Sequence, residues 1–397
     1  MDALLKHVRV LDLSQLLLGP FATMLLAGLG AEVIKVERPG IGDVARSSPP
    51  FVNGVSLYFA SLNRGKKSLS LNLATETGKE LFLNLTRHAD VVVECFTPGT
   101  MNRLGLNYEV IRDHNPRIIY AAGSGFGQYG PYAHKPALDV VIQAMSGVMS
   151  ITGEPDGPPV RPGVSYGDIV AGLFLCIAVL AALEERHKSG EGQMIDIAML
   201  DCQLTVLENA LARYLNTGEI PKAQGTKHPT FAPFQVFPTK DGYIAIALKD
   251  GTEDQWPLFC AIIEKTDLIE DERFANGWSR RQNYDILEPL LVEALRSKTT
   301  AEWLIEFERA DIPCGPLNSI PDVVKDPQVI ERQMIVEVEH PIAGRLRLVN
   351  VPFKFSRSAS GLGDRVPELG EHTEEILTSV LGLSASEVVV LRQQGIV

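Results

Sequence analysis

The feature that most constrains the fold is an alternation, in the first half of the chain, of short β-rich runs with helical patterns. Residues 8–14, 32–38 and 90–96 have the composition of strands, and residues 20–30 and 75–89 have helical patterns. Consecutive parallel strands require a crossover, which is usually a helix. This order therefore predicts an α/β fold with a parallel sheet covered by helices. Ligands of such sheets bind beyond the carboxyl ends of the strands.

A change of pattern near residue 225 predicts a second domain. Residues 234–237 and 243–248 flank a Lys-Asp-Gly turn, which indicates a β-hairpin, and helical patterns follow to about residue 326. We therefore expect a small α+β domain at 225–330. Residues 331–397 return to strand-like runs and end in a predicted helix.

Composition restricts the possible partners and the compartment. The net charge is −12, and an acidic surface repels phosphate backbones, so we expect no nucleic-acid partner. Five cysteines without CxxC spacing are typical of reduced thiols in the cytoplasm, and neither they nor the histidines have metal-site spacing. The N-terminal residues lack a secretion signal. The apolar run 169–183 would span roughly 22 Å as a helix, short of the ~30 Å of a membrane core, so we expect a buried helix and no membrane partner.

Two clusters suggest ligand binding but admit simpler interpretations. The glycine-rich stretch 123–130 follows a strand, but it does not match GxGxxG followed directly by a helix, so a loop that approaches a ligand closely is favoured over a dinucleotide site. Basic residues follow the predicted strands and could form an anion pocket. On the pattern alone, a solvated surface patch is the favoured interpretation. The basic residues are Lys35, Arg38, Arg46, Arg64, Lys66 and Lys67.

Asp168 stands at the beginning of the long apolar helix, after a stretch rich in glycine and proline. An aspartate in this position is typical of a helix N-cap, which accepts hydrogen bonds from free N–H groups and complements the helix dipole. The same position would suit a nucleophile, because N–H groups there stabilise an ionised carboxylate and a developing oxyanion. The two roles are compatible, and the pattern alone favours the cap.

Several motifs, in order along nearly the whole chain, together resemble the class III CoA-transferases, the family of formyl-CoA transferase and carnitine CoA-transferase. The motifs are VLDLS at 10–14, GPFATMLLA at 19–27, GAEVIKVERPG at 30–40, NRGKKS at 63–68, VECFTPG at 93–99, PALDVVIQA at 136–144, YGD at 166–168 and GQMID at 192–196.

The resemblance implies an architecture. Members of the family have a large Rossmann-like domain built from both ends of the chain, here residues 1–224 and 331–397, and a smaller inserted domain, here residues 225–330. Two subunits pass through each other as linked rings, so the resemblance implies an interlocked homodimer.

The resemblance also implies a covalent mechanism. The family's nucleophilic aspartate matches Asp168. It attacks an acyl-CoA and passes through an aspartyl anhydride and an aspartyl-CoA thioester before CoA reaches the acceptor carboxylate. Coenzyme A thioesters are co-substrates, and no permanently bound cofactor or metal is needed.

Contacts with CoA are carried over position by position. The matching residues are Arg38, Leu71, Asn72, Leu73, Cys95, Phe96, Thr97, Arg103, Pro136, Ala137, Leu138 and Asp139. Two positions depart from the family pattern: Ala74 stands where formyl-CoA transferase has a basic residue, and Cys95 where the family often has Asn.

Other differences bear on the acceptor. Leu17 replaces a Gln of the formyl-specific enzyme, and residues 248–253 lack the four glycines that close over oxalate there. The chain is most similar to succinyl-CoA-dependent enzymes for C4–C6 dicarboxylates, namely glutarate, itaconate, malate and mesaconate, and we favour itaconate. A distal carboxylate needs a cation or donors. The candidates are Arg46, Arg64, Arg161 and His228.

Two alternative functions follow from the same resemblance. The α-methylacyl-CoA racemases share the fold but have a His-Asp pair where this chain has Leu138 and Asp139. Leucine cannot accept a proton, which disfavours racemisation. The other alternative is a non-catalytic CoA-binding module, and an intact Asp168 disfavours it.

Overall fold

The computed structural model of the chain describes residues 2–249, 251 and 255–397, and these form two compact units. The first unit comprises Met1–Val148, Arg161–Glu219 and Pro327–Val397. The second comprises Met149–Val160 and Ile220–Asp326. Part of the segment 248–253, which lacks the glycine run, lies outside the described residues.

A six-stranded sheet, parallel throughout, is the centre of the first unit, so the predicted α/β fold with a parallel sheet is confirmed. The strand order is β5-β2-β1-β6-β7-β8. The strands are β1 (Arg9–Asp12), β2 (Glu32–Glu37), β5 (Lys67–Ser70), β6 (Val91–Glu94), β7 (Ile119–Ser124) and β8 (Met194–Ala198). Two antiparallel pairs lie outside this sheet in the same unit: β3 (Phe51–Val52) with β4 (Val55–Ser56), and β12 (Ile335–His340) with β13 (Gly344–Val349).

Helices cover the sheet because both of its faces are apolar. Successive side chains of a strand point to opposite faces: Val91 and Val93 of β6 belong to one hydrophobic cluster, and Val92 belongs to the other. The helices of the first unit are α1 (Leu18–Gly28), α2 (Leu57–Asn63), α3 (Glu76–Thr86), α4 (Thr100–Leu104), α5 (Tyr108–His114), α6 (Asp139–Ser146), α7 (Tyr166–Ser189), α8 (Met199–Thr205), α9 (Glu208–Thr217), α15 (Pro327–Glu331), α16 (Thr373–Leu381) and α17 (Ala385–Gln393).

The long helix α7 is a core helix, but the length argument used for it above was wrong. It has 24 residues and is therefore about 36 Å long, because polar residues continue the helix beyond the apolar run at both ends. By length and composition it could cross a membrane, yet half of its most apolar stretch is buried within the chain. It packs on α1 so closely that a Cβ on Gly172 would lie 2.8 Å from the Leu18 carbonyl oxygen.

The second unit has an aromatic core under a small antiparallel sheet. Its strands β9 (Phe234–Pro238), β10 (Tyr243–Ala247) and β11 (Cys314–Pro316) are ordered β11-β10-β9, and the predicted hairpin is confirmed by the pairing of β9 with β10. The helices are α10 (Trp256–Ile262), α11 (Gly277–Gln282), α12 (Tyr284–Leu295), α13 (Thr300–Arg309) and α14 (Ile320–Val323).

Candidate active site

The strand order places a crevice at one point of the main sheet. From β1 the order runs through β2 and β5 in one direction, and from β6 through β7 and β8 in the other, so it reverses between β1 and β6. Open α/β sheets bind ligands in the crevice outside the carboxyl ends of the strands at such a point. We therefore expect the ligand crevice between the loop that follows β1, residues 13–17, and the loop that follows β6, residues 95–99.

The sheet brings three of the predicted CoA-binding segments to this same edge. Arg38 follows β2, residues 71–73 follow β5, and residues 95–97 follow β6. Arg38 is exposed, as is Arg103 on α4. Two exposed guanidinium groups near one edge of a sheet suit the phosphates of a nucleotide.

Backbone contacts determine the conformation of residues 71–73. The Leu71 side chain is buried in the core, so only its backbone can meet a ligand. The Asn72 amide donates to the Ile396 carbonyl (2.7 Å), and the Asn72 side chain accepts a hydrogen bond from the Ala74 amide (3.1 Å). A Cβ on Gly78 would lie 2.0 Å from the Asn72 carbonyl oxygen. That glycine weakens helix α3 but permits the close approach of this turn.

Glu94 organises the second segment. Its Oε2 accepts a hydrogen bond from the Phe96 amide (2.7 Å) and its Oε1 one from the Tyr120 hydroxyl (3.3 Å). Burial raises the pKa of Glu94 to about 7. The Cys95 side chain points toward the β1–α1 region, because a Cβ on Gly19 would lie 2.7 Å from its sulfur. Burial, followed by nearby carboxylates, raises the pKa of the Cys95 thiol, so this thiol is a poor nucleophile at neutral pH.

Asp139, predicted to contact CoA, has a carboxylate that is buried and already engaged by the protein. Its Oδ1 accepts a hydrogen bond from the Gly167 amide (2.8 Å), and its Oδ2 accepts from Gln143 (2.7 Å) and Arg161 (2.8 Å). The carboxylate therefore fixes the beginning of α7. In the rest of this segment Pro136 and Leu138 are exposed, and the Ala137 methyl group occupies the space left by Gly125.

Gly167 makes this arrangement possible. A Cβ at this position would lie 2.3 Å from the Gln203 side chain and 3.2 Å from Asp139 Oδ1. The glycine of the Tyr-Gly-Asp motif was the sequence signal for close packing here, but nothing in the pattern identified Asp139 as its partner.

Asp168 is not the N-cap that the sequence predicted. The cap position is Ser165, and Asp168 is the third residue of α7, because Tyr166 and Gly167 already have helical backbone conformation. Its carboxylate has no hydrogen-bond partner among the described residues. Burial first, and then the Asp139 charge, raise the pKa of Asp168 to about 7, against the opposing effect of Arg161. Burial and the Asp139 charge therefore outweigh the stabilisation of the ionised carboxylate that the helix terminus was expected to provide.

Tyr58 is a residue within electrostatic range of Asp168 that sequence reasoning missed. Burial, followed by the charges of Asp168, Asp43 and Asp139, raises the pKa of Tyr58 to about 12. The half-buried hydroxyl of Tyr58, on α2, therefore stays protonated and can donate a hydrogen bond. No motif surrounds it, so only the tertiary structure associates it with Asp168.

The residues predicted to bind the acceptor differ in whether their side chains are already paired with other groups of the protein. Arg46 forms a bidentate ion pair with Glu37 (2.7 Å and 2.7 Å) and stacks on Phe59. Arg161 pairs with Asp139. Arg64 is 2% exposed, and its Nε and Nη2 have no hydrogen-bond partner among the described residues. Burial lowers the pKa of Arg64.

His228 lies in the second unit. Its Nδ1 accepts hydrogen bonds from the Thr230 and Phe231 amides (both 3.2 Å), which places the ring proton on Nε2. The ring also contacts Phe234 and lines a cavity of about 520 Å³ within that unit. In the described part of the chain, no three His, Cys, Asp or Glu residues are grouped as metal ligands.

The family to which this geometry belongs follows from comparison with known proteins. The model of CoA-transferase family III matches residues 5–373, and the chain belongs to that family. The resemblance found in the motifs is thus confirmed, and the protein is a CoA-transferase. Racemisation and non-catalytic CoA binding are accordingly set aside.

Several relatives act on dicarboxylates. The succinyl-CoA:glutarate CoA-transferase of Mus musculus is 41% identical over 99% of this chain and 90% of the relative. The succinyl-CoA:mesaconate CoA-transferase of Haloarcula marismortui is 39% identical over 94% of this chain and 95% of the relative. The acetyl-CoA:oxalate CoA-transferase of Acetobacter aceti is 42% identical over 87% and 88%. A solved CAIB/BAIF family protein from Brucella suis has a TM-score of 0.85 and 37% identity, and the match covers 96% of this chain and 100% of that protein.

Proposed function

We propose that this enzyme moves CoA from succinyl-CoA to a C4–C6 dicarboxylate through covalent intermediates on Asp168. The observation that carries the proposal is the Asp168 carboxylate: it lies in the first turn of α7 without a hydrogen-bond partner among the described residues, and burial together with the Asp139 charge raises its pKa to about 7. A carboxylate stripped of protein donors and partly desolvated is more basic, and therefore more nucleophilic, than one in water.

The reaction consists of four exchanges at carbonyl carbons. The Asp168 carboxylate attacks the thioester carbonyl of succinyl-CoA, the C–S bond breaks, and the CoA thiolate departs, so that a succinyl-aspartyl anhydride remains on the enzyme. The thiolate then attacks the aspartyl carbonyl of this anhydride and expels succinate, which forms an aspartyl-CoA thioester. The acceptor carboxylate attacks that thioester and expels the thiolate, which then attacks the acceptor carbonyl of the new anhydride and regenerates Asp168. No oxidant, metal or net proton is consumed.

Oxyanions develop at each attack and need a hydrogen-bond donor. The Tyr58 hydroxyl is protonated, half-buried and close enough for its pKa to respond to the Asp168 charge. A donor preorganised in this way stabilises a tetrahedral intermediate without reorganisation of solvent. We propose Tyr58 for this role. For CoA itself we propose the segments at the sheet edge, with the exposed Arg38 and Arg103 meeting phosphates.

Among the acceptor candidates, Arg64 fits the distal carboxylate best. The charges of Arg46 and Arg161 are already neutralised by Glu37 and Asp139. A buried guanidinium with unpaired donors is costly unless an anion joins it, and Arg64 retains two such donors. A planar carboxylate matches their fork geometry.

Arg64→Met tests this assignment. We expect the KM for a dicarboxylate acceptor to rise by about 10- to 100-fold, the value of a charge-assisted hydrogen bond, while kcat changes less. Arg345→Met, a change at an exposed arginine of β13, serves as the matched control and should have no effect. Unchanged KM in Arg64→Met with a folded protein refutes the assignment.

The acceptor we favour is itaconate, a C5 dicarboxylate like glutarate and mesaconate, on which relatives act. The acetyl-CoA:oxalate CoA-transferase among the relatives makes oxalate the most informative competitor. A panel of itaconate, glutarate, mesaconate, malate and oxalate, each offered with succinyl-CoA and with acetyl-CoA, tests the choice. We expect the highest kcat/KM for a C5 acid with succinyl-CoA, and a preference for oxalate with acetyl-CoA would overturn both substrate proposals.

We further propose a cytoplasmic, interlocked homodimer in which the second unit is the inserted domain. Apolar side chains on α7 support the dimer, because Leu173 and Ile177 are 42% and 59% exposed in the single chain. All five cysteines are free thiols, which fits a reducing compartment. Light scattering of the purified protein tests the dimer: a monomer at micromolar concentration contradicts it.

A further inference from the structure

The loop that joins β1 to α1 has an unusual conformation. Leu16 has φ of 64°, in the left-handed region that residues with a side chain rarely adopt. Residues 14–17, which form most of the loop that follows β1, lie at the point where the strand order reverses. They include Leu17, the position at which this chain differs from the formyl-specific enzymes. A disfavoured backbone conformation persists only where its surroundings impose it.

One buried ion pair holds this loop from both sides. Asp43 Oδ1 accepts a hydrogen bond from the Leu16 amide (3.1 Å), and Asp43 Oδ2 pairs with the Lys35 ammonium (2.7 Å). Lys35 in turn donates to the Ser14 carbonyl (2.8 Å). Both side chains are at most 1% exposed. The ion pair therefore binds the backbone of the loop at two points, the Ser14 carbonyl and the Leu16 amide.

Neighbouring groups fix the ion pair in place. The Asp43 amide donates to Glu37 (2.9 Å), which is itself held by Arg46 and by the Ser68 hydroxyl. At the other end of the loop, Asp12 accepts hydrogen bonds from the Ser14 amide and hydroxyl. The loop consequently has little freedom to move away from the crevice.

The loop is also in contact with the predicted CoA segment. A Cβ on Gly19 would overlap both the Ser14 side chain and the Cys95 sulfur, so the loop, the beginning of α1 and residue 95 pack with no space between them. The residue that follows the loop also packs on α7: a Cβ on Gly172, about one turn after Asp168, would lie 2.8 Å from the Leu18 carbonyl oxygen. A shift of the loop would therefore change the space beside the nucleophile.

We propose that Asp43, together with Lys35, is a positioning residue for acyl transfer: it imposes the left-handed conformation of Leu16 and thereby the shape of the loop 14–17 beside Asp168. This role rests on the proposed function. It is separate from binding of CoA, whose predicted contacts lie in other segments, and neither Asp43 nor Lys35 touches the reacting atoms.

The test separates kcat from CoA binding. In Asp43→Asn we expect kcat for succinyl-CoA-dependent transfer to fall by about 10- to 100-fold, as misplacement of a reacting group by an ångström does. The Kd for CoA, measured by calorimetry, should stay within about threefold. Adding Leu16→Gly to Asp43→Asn should restore part of kcat, since glycine adopts positive φ without strain.

Two variants at Leu16, Leu16→Val and Leu16→Gly, test the proposal even if Asp43→Asn fails to fold. Leu16→Val leaves the ion pair intact but places a β-branched side chain at positive φ. It should be at least about 10-fold less active than Leu16→Gly. Equal activity of these two variants, or a folded Asp43→Asn with wild-type kcat, overturns the proposal, as does a loss that Leu16→Gly does not rescue. A wild-type enzyme that transfers CoA to no dicarboxylate removes the proposed function and this role together, whereas active but unaffected variants remove only this role.

Discussion

Asp168 and Asp12 are both aspartates of the first unit, but the surroundings of Asp12 stabilise its ionised carboxylate, whereas those of Asp168 disfavour ionisation. Asp12 is fully buried, pairs with Lys66 (3.0 Å), and accepts hydrogen bonds from Ser14 and Thr23. Although burial acts to raise it, the Lys66 and Lys35 charges hold the pKa of Asp12 well below its usual range. In the described part of the chain Asp168 has no such donors, and burial together with the Asp139 charge raises its pKa to about 7.

We infer that this difference separates a structural carboxylate, Asp12, from the proposed nucleophile, Asp168. A carboxylate whose lone pairs are all engaged stabilises the fold but has little nucleophilic character. A carboxylate whose lone pairs are open costs stability when ionised and can attack a carbonyl carbon. Replacement of Asp12 should therefore chiefly lower the stability of the fold, whereas replacement of Asp168 should abolish activity without lowering stability.

The largest expected effect is the loss of transfer activity in Asp168→Ala. Removal of a covalent nucleophile should lower kcat by at least about 10⁴-fold. Affinity for CoA, measured by calorimetry, should remain within a few-fold because other segments are predicted to hold it. An Asp168→Ala protein with substantial activity would defeat the covalent mechanism.

Asp12→Asn should chiefly affect the fold. It leaves the buried Lys66 ammonium without its counter-charge, and breaking a buried pair in this way costs about 3–5 kcal/mol. We expect the free energy of unfolding, from denaturant titration at pH 7, to fall by that amount. A loss below about 1 kcal/mol would show that Asp12 and Asp168 are less different than their surroundings indicate.

Asp168→Ala should instead stabilise the protein at alkaline pH. The folded-state pKa of about 7 exceeds the unfolded value, so wild-type stability falls as pH rises from about 4 through 7. The variant lacks this loss and should gain up to about 4 kcal/mol at pH 8, with the gain disappearing toward pH 4. Thermal unfolding of both proteins from pH 4 to 8 measures the difference, and a gain that does not depend on pH would contradict the raised pKa.

The smallest predicted effect concerns the pH profile. Because Asp168 must ionise to attack, kcat/KM for succinyl-CoA should rise with pH through about 7 and then level off. Asp139→Asn removes a repelling charge and releases Arg161 from its ion pair, and both changes lower the pKa of Asp168. The midpoint should move to the acid side by about one unit. A midpoint that stays in place would show that Asp139 acts through geometry alone.

The sequence predicted the sheet and its helices because their periodicity is local. The family resemblance assigned residues 71–73 and 95–97 to CoA contacts, and the structure places both segments at the carboxyl edge of the sheet. The sequence predicted Asp168 as the N-cap, whereas the cap is Ser165 and Asp168 is the third residue of the helix, because helical backbone begins before the apolar run that marked the helix. It could not identify Tyr58, the engaged carboxylate of Asp139 or the Asp43–Lys35 pair, since these depend on contacts between residues distant in sequence.

The proposed mechanism requires Asp168 to become covalently attached to substrate. Incubation of the enzyme with succinyl-CoA and hydroxylamine, followed by peptide mass spectrometry, detects this attachment. We expect a hydroxamate at Asp168 alone, with progressive loss of activity that requires both reagents. A fully active enzyme without this modification, or a modification confined to another carboxylate, would contradict it.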